Sequence, residues 1–212
     1  MINDVKFLKE KFEGNFDVKF RQITTCLGEC TLIFIDDLCS TVFISEYILN
    51  PLKQQQYNYK TVDELLYKAL DINLAGFAKD KNDAIDHILS GDVAIVFHDH
   101  EKMLYAEAKG YVKRGVSIPV TEAVVKGPRE GFTESIVDNV SLIRRKVKNA
   151  DLKFEALVVG EKSNTTVCIS YIKGVAPKYL INYVKSTIKK LDLNFILDTN
   201  YIEAELRGKK SV

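Results

Sequence analysis

No apolar run in the 212 residues approaches the length needed to span a bilayer, and the opening Met1-Ile-Asn-Asp-Val-Lys lacks the hydrophobic core of a signal peptide. The chain as given therefore reads as soluble and unexported. An excess of one charge is also missing. The formal net charge is +1, so no long-range field draws in nucleic acid or an anionic membrane, and any such binding would have to be local. Cys26, Cys30, Cys39 and Cys168 show none of the Cys-x-x-Cys spacing of zinc or redox sites. An unexported chain of this size needs no disulfide scaffold, so reduced thiols are expected. No glycine-rich phosphate signature of the Walker or dinucleotide type occurs. No serine, cysteine or lysine nucleophile is visibly paired with a base, and His87 falls inside a predicted helix. These absences point away from an enzyme and from a resident metal or cofactor.

What is present is an ordinary globular composition, 46% hydrophobic and 28% charged, enough to bury a core in one large or two small domains. Periodicity predicts helices over Val5 to Phe12, Thr41 to Leu49, Thr61 to Leu70 and Asn82 to Leu89. Strands are predicted near Asp17 to Gln22, Thr31 to Asp36, Ile72 to Phe77, Val93 to Phe97, Met103 to Ala108 and Tyr111 to Val116. After a central helix, Leu152 to Val159 and Thr166 to Ile172 read as a strand pair. Helix Lys178 to Leu191, strand Leu193 to Leu197 and a last helix from Thr199 complete the chain. Phe34-Ile-Asp-Asp-Leu-Cys parallels Tyr171-Ile-Lys-Gly-Val-Ala, and Leu70-Asp-Ile-Asn parallels Leu191-Asp-Leu-Asn. The expectation is an α/β fold of two packed α/β subdomains with mixed sheets, built on an α-β-β-α-β-α unit that the parallels suggest is used twice. Residues 1–118 form the first subdomain, 119–132 the connecting loop, 133–207 the second subdomain and 208–212 a tail.

The densest local information lies in Val124-Val-Lys-Gly-Pro-Arg-Glu-Gly-Phe-Thr-Glu. Gly127 and Gly131 reach backbone angles closed to other residues and Pro128 fixes its own φ, so Lys126, Arg129 and Glu130 are displayed on a shaped loop. A helix follows from Glu134 to Lys148. Ile136, Val140, Ile143 and Val147 line one face, Thr133 is the expected N-cap, and Glu134 in the first turn suits the helix dipole. Asn139 lies on this helix, and Arg144, Arg145, Lys146 and Lys148 make a basic run at its end that reads first as a solvated face. An ion pair or an interface is the leading use for Arg129 and Glu130, with ligand binding as the rival.

His98-Asp-His-Glu is the one group that could pass for metal chemistry, because alternate histidines on a strand share a side. It falls where a hairpin turn belongs, and a solvated turn is the expected reading. Asp36-Asp37 ends a strand and should begin a turn.

The segment from Val124 to Glu134, with Asn139, Leu142-Ile-Arg-Arg, Tyr171-Ile-Lys-Gly-Val-Ala, Ile196-Leu-Asp and Tyr201-Ile-Glu, resembles the soluble N-terminal domain of the A subunit of GerA-type spore germinant receptors. Asp17-Val-Lys-Phe-Arg, Leu32-Ile-Phe-Ile-Asp-Asp-Leu, Ile48-Leu-Asn-Pro-Leu, Ile88-Leu-Ser-Gly-Asp and Arg114 extend the resemblance to about Leu206. Lys126 departs from it, standing where the family favours arginine. The resemblance implies a receptor module in the inner spore membrane, with this domain on the cytoplasmic or spore-core side and membrane contact through a region absent from the chain. It implies B and C subunits and other A subunits as partners, and no nucleic acid. On that footing Lys126, Gly127, Pro128, Arg129, Glu130, Gly131, Glu134, Asn139, Arg144 and Arg145 are the expected interface or coupling residues. A chain ending at Val212 with the atypical Arg207-Gly-Lys-Lys-Ser-Val is expected to be an excised domain or a truncated product. Two rival readings remain: a small-molecule-binding domain with a ligand in the cleft between subdomains, and a hydrolase using His98 and His100.

Overall fold

Every side chain from Asp92 to Phe97 is buried in the computed structural model, which describes residues 2–54, 58–110, 131–191, 194 and 199–207. A strand of this kind needs cover on both faces. It lies at the centre of a five-stranded sheet made of β1 (Val18–Thr25), β2 (Gly28–Ile35), β3 (Ala75–Ala78), β4 (Asp92–Phe97) and β5 (Met103–Glu107), in the order β1-β2-β4-β5-β3. Side chains alternate between the faces. Leu32, Phe34, Val93, Ile95 and Phe97 share one cluster with Ile48, Leu52, Leu65 and Leu66. Those last four come from a continuous helical stretch of α2 (Thr41–Phe43), a π-helical part (Ile44–Leu49) and α3 (Asn50–Lys53), and from α4 (Val62–Ala69). Ile33, Ile35, Ala94 and Val96 meet Leu8 and Phe12 of the first helix, α1 (Ile2–Lys11) and its end, and Ile85 and Ile88 of α5 (Lys81–Leu89).

Local signals fix the helix starts. Thr61 Oγ1 accepts from Glu64 N at 3.1 Å while a Glu64 carboxylate oxygen accepts from Lys60 N at 2.9 Å. Asp80 Oδ1 accepts from Asn82 N and Asp83 N. After α5 the chain reverses through Gly91 at φ +88°, a left-handed angle at which a side chain would also press on Leu38.

The described residues fall into two compact units. One runs to Glu13 and from Asp17 to Ala150; the other holds Gly14–Phe16 and the residues from Asp151 onward. The first unit therefore includes α6 (Ile136–Lys146), beyond the 119–132 segment where the sequence reading put the junction. The second unit is a hairpin of β6 (Leu152–Val159) and β7 (Thr165–Ile172) with α7 (Lys178–Lys189) and α8 (Thr199–Leu206). Val159 and Ile188 are the buried centre of its small core, with Leu157, Val167, Ile169 and Ile202 around them. Phe16 N donates to Phe154 O, and Asn15 Oδ1 accepts from Phe154 N, both at 3.0 Å, so a short early segment is sewn to β6.

The α/β class is as expected. Every pairing between the described strands is antiparallel, where mixed sheets were anticipated. The order α-β-β-α-β-α is seen once in α1 to α5. In the second half α6, β6, β7, α7 and α8 follow in the same order, and the expected strand at Leu193 to Leu197 lies outside the described residues apart from Asn194. The predicted strand Tyr111 to Val116, and Arg114 within it, also lies outside them.

Candidate functional site

Lys126, Gly127, Pro128, Arg129 and Glu130 lie outside the described residues; the chain is described again from Gly131, which is exposed together with Phe132 and Glu134. Ser135 caps α6, its Oγ accepting from Asp138 N at 3.3 Å and satisfying one of the free amides of the first turn. The expected cap, Thr133, is displaced outward because its Oγ1 is taken by Ser135 N at 3.1 Å. Asn139 reaches back over this turn. Its Oδ1 accepts from Thr133 N and its Nδ2 donates to Thr133 O, both at 2.7 Å. One side-chain amide thus satisfies both backbone groups of Thr133, and the path into α6 is held at a fixed angle.

The far end of α6 corrects the sequence reading. Arg144, expected on a solvated basic face, is fully buried. Its Nε donates to Asp17 Oδ2 at 2.8 Å and its Nη2 to Asp17 Oδ1 at 3.1 Å, a two-pronged grip that matches the planar guanidinium to the carboxylate. The inward face of α6 consequently runs through Val140, Ser141 and Arg144, while Ile136 and Ile143 are half-buried and Val147 is exposed. Arg145 is half-buried, Lys146 and Lys148 are exposed, and Lys148 Nζ lies 3.3 Å from Ser90 Oγ.

Carboxyl groups gather beneath Arg144. Asp17 O accepts from Asp36 N at 2.9 Å, which joins the start of β1 to the short 3-10 turn Asp36–Leu38, and α6 packs on that turn. The turn itself was expected from Asp36-Asp37. Lys19 Nζ lies 4.0 Å from Asp36 Oδ2. Asp17 and Asp36 thus act on Asp37 with like charge, and Lys19 and Arg144 with opposite charge. Asp37 Oδ2 is buried and has no hydrogen-bond partner among the described residues. Burial pushes the Asp37 carboxyl up to about 7, and the charges of Asp17 and Asp36 push the same way, against Lys19 and Arg144. The site can hold a proton on Asp37 and anchor a helix.

The other candidates are kept apart. His98 Nε2 lies 2.9 Å from Thr31 Oγ1 and its Nδ1 lies 3.4 Å from Glu29, while His100 Nε2 lies 3.2 Å from Leu27 O. The two imidazoles fasten the β4–β5 turn to the β1–β2 hairpin at different points, and His98 is more buried than a solvated turn would have it. No group of three His, Cys, Asp or Glu side chains among the described residues could hold a metal ion. Sequence reasoning missed a third pair. His87 Nδ1 lies 2.8 Å from the buried Asp92 Oδ2, its ring stacks on Tyr105 at 3.5 Å, and Lys109 Nζ approaches Asp92 Oδ1 at 3.2 Å. Cys39 nearby donates to Gly91 O at 3.3 Å, and burial pushes its thiol up to about 12, far from a reactive thiolate.

The family described as Bacillus/Clostridium GerA spore germination protein matches residues 6–212. Spore germination protein KA of Bacillus subtilis (strain 168) is 30% identical over 202 residues, covering 92% of this chain and 37% of that protein. The membrane protein YfkQ of the same organism is 31% identical over 193 residues, covering 90% of this chain and 38% of that protein. The chain thus spans well under half the length of these relatives. In fold it matches the crystal structure of the N-terminal domain of the A subunit of the Bacillus megaterium spore germinant receptor GerK3, with a TM-score of 0.66, 22% identity, and coverage of 98% of this chain and 78% of that one.

Proposed function

Since the chain belongs to the GerA family of spore germination proteins, we propose that it serves as the N-terminal domain of a germinant receptor A subunit and carries a conformational signal in nutrient-triggered germination. Its role is contact with B and C subunits and with other A subunits, and the signal it passes is coupled to ion release. The place of work is the inner spore membrane, with this domain on the cytoplasmic or spore-core side. Attachment is assigned, with the family resemblance, to a region outside these 212 residues; no described helix is long and apolar enough to cross a membrane. Covalent chemistry has no part in this reading.

The observation that supports it is the Arg144–Asp17 pair. Coupling requires an element with two arrangements that differ in contacts. A helix anchored at one end by a buried two-pronged ion pair, and at the other by the Asn139 grip on Thr133, moves only by breaking named bonds. At its N-terminal side it receives Lys126 to Gly131, and at its C-terminal side the chain passes into the second unit at Asp151. Lys126, Gly127, Pro128, Arg129, Glu130 and Gly131 are therefore the segment proposed to meet another subunit, with Glu134 following in sequence and Arg145 in the last turn of α6.

Arg129→Glu in the full-length receptor tests the loop. Spores with the variant should keep parental receptor abundance and lose most of their nutrient response. A normal response at normal abundance removes the loop from signalling, and loss of abundance assigns Arg129 to folding alone.

A further inference from the structure

From Ser163 to Leu191 the chain has five lysines, Lys173, Lys178, Lys185, Lys189 and Lys190, and no aspartate or glutamate. In a protein of net charge +1 this is a marked local asymmetry; Lys178, Lys185 and Lys189 lie on α7 and Lys190 is its C-cap. α7 turns Ile188 inward, with Val184 half-buried beside it, and Lys185 is spent on Glu155. At 100° per residue, Tyr179, Tyr183 and Lys190 form a stripe along the opposite side, with Lys178 and Lys189 on one flank and Leu180 on the other. These side chains are open to solvent: Tyr179 is 76% exposed, Tyr183 51% and Leu180 45%. Tyr183 still leans on α8, its hydroxyl donating to Leu206 O at 3.4 Å. Val175, just before the helix, is also exposed.

We propose that the outer face of α7 is a peripheral docking surface for an anionic lipid headgroup layer. Tyrosine and lysine side chains join an apolar body to a polar tip, the combination that settles at the boundary between headgroups and acyl chains. The outer face of α7 carries lysines and no acid of its own, and the neighbouring Glu203 of α8 is paired with Arg207, so the face attracts a negative surface. In the basic run ending α6, by contrast, Arg144 is buried on Asp17 and Arg145 is half-buried. The inference stands on α7 alone and does not require the receptor reading.

The test is cosedimentation of this chain with vesicles of phosphatidylcholine alone and of phosphatidylcholine mixed equally with phosphatidylglycerol. Binding is expected only to the mixed vesicles and should fall steeply with salt. Each lysine neutralised should weaken it about fivefold, so Lys178→Gln, Lys189→Gln and Lys190→Gln together lower it about a hundredfold. Tyr179→Ser should weaken what remains at high salt. All four positions are exposed, so an unchanged far-ultraviolet spectrum and melting temperature serve as the folding control. Equal binding to both vesicle types, or a triple variant that binds like the parent, overturns the proposal. Self-association that disappears with Tyr179→Ser, in the absence of any vesicle binding, overturns it in favour of a second copy as the occupant. Failure here leaves the germination result with Arg129→Glu untouched, and the reverse also holds.

Discussion

Asp17 and Arg144 stand 127 residues apart in sequence and meet through two hydrogen bonds of 2.8 and 3.1 Å, both side chains fully buried. Removing either partner strands the other charge away from water, so Asp17→Ala and Arg144→Ala should each cost about 3–5 kcal/mol. Arg144→Lys keeps the charge but loses the fork and should cost less. Urea unfolding followed by circular dichroism measures this, and a double-mutant cycle with a large coupling energy identifies the pair as the cause.

Asp37 gives the pH dependence a sign. Its folded pKa is raised from 3.8 to about 7, so the native state binds its proton more tightly than the unfolded chain does. Stability from this group is complete below the unfolded value and is lost as pH rises toward 7. Asp37→Asn, which mimics the protonated form, should flatten the thermal stability of the first unit between about pH 4 and 7 and raise it at pH 8. A parental pH profile in the variant contradicts this.

Asn139→Ala removes both bonds to Thr133 and should cost about 1–3 kcal/mol, with the Thr133 amide exchanging faster in hydrogen exchange. Ser135→Ala removes only a cap and should cost about 1 kcal/mol.

Zinc should leave the melting temperature unchanged, because His98 and His100 point to Thr31 and Leu27 rather than to one ion. A rise that His98→Ala or His100→Ala abolishes would restore the metal reading.

Much of the fold was legible where a residue's neighbours in sequence decide its fate. Val93 to Phe97 carries no polar side chain, so both faces had to be covered, and Leu152 to Val159 was bounded by local alternation. The helix after the glycine-proline loop was equally plain, but its inward face was not. Apolar spacing favours Ile136, Ile143 and Val147, and only the carboxylate of Asp17 turns Arg144 inside. No local pattern reports a partner 127 residues away. Asp17-Val-Lys-Phe-Arg and Leu142-Ile-Arg-Arg both carry the family resemblance, yet nothing in either segment names the other as its partner. The His87–Asp92 contact was missed for a related reason: it spans the reversal at Gly91, which periodicity treats as a boundary.

The account stands on α6 as a signalling element, and Arg144→Lys in the full-length receptor tests that most directly. Nutrient-triggered germination is measured per receptor molecule in spores grown at a temperature where variant and parent accumulate equally. The account predicts that the rate per receptor falls well below the parental one, because the helix has lost its two-pronged anchor. A parental rate per receptor would contradict it and leave the Arg144–Asp17 pair as part of the scaffold alone.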